Sequence, residues 1–439
     1  MADTERYQFY LDEPNSGSDK DASRRSAGEV LDGVTASDKA RGALVNDAFA
    51  HSTISSEAQQ KLGLQVRTAE GKTEFYYRAG GQDQVVLSSD QSVTPVKTQE
   101  LELILQREMR DLESKYKIKF AVPGEFVDTQ VSQGSDCKTQ KGEQIRAVQP
   151  KFTDVYAMRE ALEHSSPSQL TKDGDSGIKV YFLDKNLLPK AVYGDKPALG
   201  VYMVADKDKL PAVYVTPEGS RLPPTLKDVT EAEGRNLAYV IEHELIHNSQ
   251  RNLWAGYPLV PAGLPETFGW SSLAQGDTNF AYGLKGTNGE KYFNMRMGCG
   301  QNTAWVGIKD QHLIGYNGQL VSDLGQAKTF TYDEVRGNAV VRPPTYYFSN
   351  PAEMFAEGLT NFRTSIESRL RLYRVSPVLY EVVKKHDEQE IDSFYGRSFF
   401  GYSQYVRALN GAVVPRSSQQ AKEVEAFESR LRKGVLQNR

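Results

Sequence analysis

A chain of 439 residues with 39% apolar and 25% charged side chains has material for two or three buried cores, which excludes a wholly disordered or fibrous protein. The formal net charge of −4 at pH 7, with basic residues dispersed among acidic ones, leaves no footprint for a polyanion, so nucleic acid is not an expected partner. Two cysteines, Cys137 and Cys299, are too few for a disulfide framework and are not spaced as a metal knuckle.

The opening stretch, "MADTERYQFYLDEPNSGSDKDASRRSAGE", lacks the basic segment, apolar run and small-residue cleavage site of a secretory signal. No apolar run reaches the roughly 18 to 20 residues that cross a bilayer. The expectation is therefore no membrane insertion, and a location that is cytoplasmic or reached by signal-peptide-independent export. Residues 1–45 carry Ser, Asp, Lys and Gly with almost no apolar periodicity, which predicts a disordered tail. Within 46–97, "LQVRTAEGKTEFYYRAGGQDQVVLSS" holds three β-prone runs split at Glu70-Gly71 and Gly80-Gly81, which predicts a small β meander.

Leu101, Ile104, Leu105, Met109 and Leu112 keep helical spacing from Thr98 to Tyr116, and "KIKFAVPG" reads as the strand that follows. A second helix, "FTDVYAMREALEHSS", precedes three strand candidates, "IKVYFLDK", "GVYMVAD" and "PAVYVTPEG". This order predicts an α+β fold over residues 98–363, a mixed sheet with its helices on one face. One of the last strands could be a free edge open to an extended peptide.

The next helix is "LAYVIEHELIHNSQRNLW", with a capping box from Thr230 and Glu233 ahead of it. Four residues at about 100° each bring His243 and His247 to one side of that helix, a turn apart, so the two imidazoles could share a metal ion. Residues 252–342, rich in Gly, aromatic residues and turn signals, predict a long insertion of loops and hairpins, and residues 364–439 a C-terminal helical region.

Two histidines leave a catalytic zinc site incomplete, because such sites use three protein ligands and an open fourth position. A metzincin continuation needs Gly at 250 and His at 253, where this chain has Gln250 and Leu253. His51, His164, His312 and His386 stand alone and are expected to be solvated. A carboxylate is the better third ligand. "YYFSNPAEMFAEGLTNF" supplies Glu353 and Glu357 four apart on a predicted helix: one can bind a metal, and the other can accept the remaining ring N–H of a liganding histidine. Asn350, Pro351 and Glu353 also describe an ordinary capped helix start, which explains Glu353 but not a second acid one turn on. Asp277 in "GDTNFAYG" is out of register for the acidic ligand of an aspzincin, and Cys299 in "MGCGQNTAW" has no activating partner in the sequence.

These motifs together resemble the lethal-factor-like gluzincin metallopeptidases, which pair an H-E-x-x-H helix with a later AE-aromatic-aromatic-AE helix and place a tyrosine seven residues before the liganding glutamate. Here "AEMFAE" has Met354 in place of one aromatic, and Tyr346, with Tyr347 beside it, stands seven residues before Glu353. The resemblance spans Thr98 to Arg363. It implies a zincin-like metallopeptidase domain binding one Zn2+ per chain through His243, His247 and Glu353. It also implies Glu244 as general base, Tyr346 as oxyanion donor, Glu357 as partner of a liganding histidine, a protein or peptide substrate and, by analogy, an exported effector or toxin. The alternatives are a zincin-shaped binding module without activity and an aspzincin-type peptidase using Asp277.

Overall fold

The chain forms both helices and strands in a computed structural model. The residues described are 56–69, 72–90, 98–127, 130–133, 138–141, 145–172, 176–186, 199–203, 211–229, 235–251, 270–272, 282–297, 302–340, 351–396 and 403–434. The expected tail and His51, Cys137, Thr230, Glu233, Asp277, Cys299, Tyr346, Tyr347 and Asn350 lie outside them. The chain divides into two units, one of residues 1–125, 146–185 and 199–242, the other of 126–145, 186–198 and 243–439.

The first unit starts with a short helix that the strand-like reading of 46–97 did not include, α1 (Ser56–Leu62). The meander follows as β1 (Gln65–Ala69), β2 (Lys72–Ala79) and β3 (Gln82–Asp90), antiparallel in that order. Gly80 and Gly81 make the β2–β3 turn at φ 66° and 78°, the left-handed region that glycine adopts without strain. Their amides donate to the Asp228 carboxylate at 2.9 and 2.8 Å, and Tyr77 of β2 stacks on Phe152 at 5.6 Å, so the meander is fastened to the rest of its unit.

Helices α2 (Thr98–Tyr116) and α3 (Phe152–His164) bury Leu101, Leu105 and Leu112, and Val155, Met158 and Leu162, respectively. Four strands form the mixed sheet: β4 (Lys119–Phe120), β5 (Lys179–Phe182), β6 (Gly200–Met203) and β7 (Ala212–Val215). Their order is β6-β7-β5-β4, with β5 parallel to β4 and β7, and β6 antiparallel to β7 at an edge of the described sheet. The α+β class expected from the element order is therefore present. Helix α4 (Leu237–Arg251) closes this unit and opens the next; the Asn236 side chain caps it by accepting from the Tyr239 amide at 2.9 Å.

In the second unit the expected hairpins of 252–342 are joined into one antiparallel sheet of seven strands: β8 (Trp270–Ser272), β9 (Tyr282–Lys285), β10 (Lys291–Met297), β11 (Asn302–Lys309), β12 (His312–Ile314), β13 (Leu320–Val321) and β14 (Thr329–Phe330), which pairs with β11. A short helix, α5 (Tyr332–Asn338), follows. Helices α6 (Pro351–Thr364), α7 (Ile366–Val375), α8 (Pro377–Tyr395) and α9 (Gln419–Arg432), with the hairpin β15 (Tyr405–Arg407) and β16 (Val413–Pro415), make the C-terminal region.

Its core runs through Phe355, Leu359 and Phe362 of α6, Leu372 of α7, Leu379 and Val383 of α8, and Phe427 and Leu431 of α9. Burying each such side chain contributes about 1.5–3 kcal/mol. Gly358 lets α6 and α8 approach closely: a Cβ there would stand 3.1–3.2 Å from Val383 and Leu379. No helix among the described residues is long and apolar enough to cross a membrane.

Candidate metal centre

Helix α4 presents His243 and His247 on one face, with their ring centroids 4.8 Å apart and nearly perpendicular. Ile246, between them in sequence, packs into the apolar cluster that holds Met354 and Phe355 of α6. That contact brings the first turn of α6 against the histidine face, so the amphipathic packing of the two helices delivers Glu353 to the imidazoles.

Three ligand atoms converge. Nε2 of His243 lies 3.1 Å from Nε2 of His247 and 3.1 Å from Oε2 of Glu353, and the third edge, His247 Nε2 to Glu353 Oε2, is 3.5 Å. Zinc bonds of about 2.0–2.1 Å at tetrahedral angles set ligand atoms about 3.3–3.4 Å apart. The triangle has about the dimensions of one face of such a tetrahedron, and these three residues form the group among the described residues that could hold a metal ion. The histidine side chains are 14% exposed and Glu353 is 38% exposed, so the carboxylate is the most accessible of the three ligand groups.

The hydrogen bonds behind the rings decide which nitrogens carry protons. Gln250 donates through Nε2 to the carbonyl of Ala352 at 2.9 Å, which turns its Oε1 toward Nδ1 of His247 at 2.7 Å. An amide oxygen only accepts, so His247 Nδ1 carries a proton, which in the neutral ring leaves the lone pair on Nε2. On His243, Nδ1 faces Oε2 of Glu357 at 3.4 Å, which favours the same tautomer. Two imidazole lone pairs and a carboxylate oxygen then point at one another, an arrangement that repels itself until a cation, a metal or protons, stands between them.

The titration directions express the same conflict. Burial alone would lower the pKa of His243, but hydrogen bonds to Glu353 and Glu357 and the charges of Glu353 and Glu244 override it and hold His243 well above the ordinary imidazole range. His247 is raised by the same contest, burial against the Glu353 charge and hydrogen bond. Burial would raise Glu353, yet the neighbouring histidines pull it well below the usual carboxylate range. A metal ion bound at this face would replace the protons that the histidines otherwise recruit.

His243, His247, Glu353 and Glu357 are therefore gathered as the motif spacing led one to expect, and half-buried Glu244 on α4 is near enough for its charge to act on both histidines. Two side chains have partners that their sequence positions did not announce. Gln250 entered only as the residue that breaks a metzincin pattern, although its position three residues after His247 on the same helix places it beside that ring. His164, expected to be solvated, is instead buried at 7% exposure, with Nδ1 3.1 Å from the Glu242 carboxylate. Its place on the inner face of α3, beside buried Ala161 and Leu162, was the available signal. No protein-family model, curated protein or solved structure matches the chain.

Proposed function

We propose that the protein is a zinc-dependent metalloendopeptidase that hydrolyses peptide bonds in a protein or peptide substrate, holding one zinc ion per chain through His243, His247 and Glu353. The observation that supports this reading most is the coincidence of the H-E-x-x-H helix with a three-atom ligand face of tetrahedral dimensions. Bound there, zinc would supply Lewis acidity, making a water molecule more acidic and a peptide carbonyl more electrophilic.

The remaining work falls to the chain's own side chains. Glu244 takes a proton from the attacking water and returns it to the leaving amine, a double role that needs a carboxylate next to the ligand face without ligating itself. Glu357 and Gln250 keep the two imidazoles in the tautomer that directs Nε2 at the metal. Tyr346 is assigned by the family resemblance to donate a hydrogen bond to the oxyanion of the tetrahedral intermediate. The exposed side of Glu353 is where the scissile carbonyl approaches.

Proteome-derived peptide libraries provide the test. Wild-type protein with zinc should cleave a reproducible set of internal peptide bonds, and Glu244→Gln should retain zinc and cleave none of them. Equal cleavage by both would remove the proposed base, and the peptidase reading with it.

A further inference from the structure

A second polar constellation lies in the C-terminal region of the second unit, where a cavity of about 520 Å³ opens among α6, α7, α8, β15 and α9. That volume falls within the roughly 300–1,000 Å³ of small-molecule sites. Much of its wall is apolar, from Phe362, Val406, Ala421 and Val424, but its charges are unbalanced: six cationic side chains line it against four carboxylates.

Two of these carboxylates, Asp387 and Glu428, are already engaged. Asp387 accepts from Arg363 at 2.7 Å and from Arg407 at 2.8 and 3.0 Å, and Glu428 is held by Tyr380 at 3.2 Å and by Lys384. Arg369 is different. Its guanidinium is fully buried, lies over the Phe362 ring at 4.3 Å, and donates only to neutral carbonyls, that of Ala408 at 2.7 Å and that of Phe362. Arg369 is among the residues that line the cavity, and its Nη1 is buried and makes no hydrogen bond. Burial lowers the Arg369 pKa to about 10, as expected of a cation whose nearby acids are committed to other partners. Arg416, Arg432 and Lys433 stand exposed at the rim.

We propose that this cavity binds a small organic anion, with a carboxylate or phosphate head on Nη1 of Arg369 and a short apolar body on Val406, Ala421 and Val424. A buried guanidinium nitrogen without an acceptor is costly, and an anionic oxygen is the acceptor that both satisfies it and neutralises the charge. The exposed cations at the rim would draw such a ligand in, and the apolar walls select an organic anion over a bare inorganic one. The inference is independent of the peptidase reading, since none of these residues belongs to the metal face.

Isothermal titration calorimetry of the full chain with hexanoate, hexyl phosphate, hexanol and inorganic phosphate tests it. One of the two hexyl anions, or both, should bind saturably at one site per chain, and their relative affinity identifies the preferred head. Hexanol and inorganic phosphate should bind at least about tenfold more weakly. Arg369→Gln should weaken the anion by roughly 10- to 100-fold, as expected for loss of a charge-assisted hydrogen bond. Should that variant fail to fold by circular dichroism, the surface double variant Arg416→Ala, Lys433→Ala decides, with an expected loss of roughly threefold or more. Absence of saturable binding by both hexyl anions, hexanol matching them, inorganic phosphate matching them, or unchanged affinity in the rim variant would each overturn the proposal.

Discussion

Two histidine–carboxylate arrangements involve α4, one buried and one half-buried, and they differ in how many ligand atoms converge. In the first unit, His164 and Glu242 form an isolated pair: one ring nitrogen meets one carboxylate oxygen at 3.1 Å, the other ring nitrogen lies 3.9 Å from Glu160, and the second Glu242 oxygen is buried without a hydrogen-bond partner. In the second unit, His243 and His247 turn their Nε2 atoms toward each other and toward Glu353. The first arrangement joins one ring nitrogen to one carboxylate oxygen through a proton, whereas the second gathers three ligand atoms that one metal ion can bridge at once. Convergence, rather than the presence of histidine beside acid, distinguishes a candidate metal site from a structural pair.

The largest expected effect sharpens what the converging arrangement is for. Under the peptidase proposal, Tyr346→Phe should lower kcat by roughly 10² to 10³ with zinc content and KM little changed, because an oxyanion donor acts only once charge develops on the substrate oxygen. Tyr347→Phe is the control; activity that survives in the Tyr346 variant and collapses in the Tyr347 variant would shift the register by one residue.

Next in size are the residues behind the rings. Glu357→Ala and Gln250→Ala should each weaken zinc affinity by roughly 10- to 100-fold in a chelator competition, since each holds one imidazole tautomer. Asp277→Ala should have no effect, and a larger loss there than in Glu353→Ala would favour the aspzincin alternative. His164→Ala should leave zinc in place and instead destabilise the fold by about 1–3 kcal/mol in urea unfolding, because it strands the buried Glu242 carboxylate. Zinc loss in that variant would erase the distinction between the two arrangements.

The smallest effects concern pH, where the units treat a buried aspartate in opposite ways. Asp154 caps α3 with mainly backbone partners, and burial lifts its pKa to about 6. Folding therefore favours its protonated form, and its contribution to stability declines as pH rises from about 4 to about 6. Asp387, also fully buried, is held far below the usual range because the charges and hydrogen bonds of Arg407 and Arg363 outweigh its desolvation. Its contribution is present above the unfolded pKa of about 3.9 and disappears as pH falls below it. Denaturant midpoints between pH 3 and 7, on the order of one measurement per half unit, should show the decline from pH 4 to 6 vanish in Asp154→Asn and the acid-side loss shrink in Asp387→Asn. An unchanged pH profile in both variants would contradict these assignments.

Much of this was legible in the sequence where the governing signal is local. The apolar spacing of Leu101, Leu105 and Leu112 bounds α2 at Thr98 and Tyr116, and the offsets within the two motifs mark the histidine face of α4 and the acidic face of α6. The rest depends on contacts distant in sequence. The pairing of β14 with β11 cannot be read from glycine- and aromatic-rich turns, because register is settled by partners elsewhere in the sheet. His164 and Glu242 are 78 residues apart, so neither announces the other. The direction of the Gln250 amide follows from the Ala352 carbonyl, a partner on another helix.

The central claim is the metal face, and metal content by inductively coupled plasma mass spectrometry tests it most directly. Purified wild-type protein dialysed against trace zinc should carry about one zinc per chain. Under the same dialysis His243→Ala, His247→Ala and Glu353→Ala should lose most of it, while Glu244→Gln and His164→Ala keep it. A wild-type chain without zinc, or a folded His243→Ala variant with a full complement, would contradict the account.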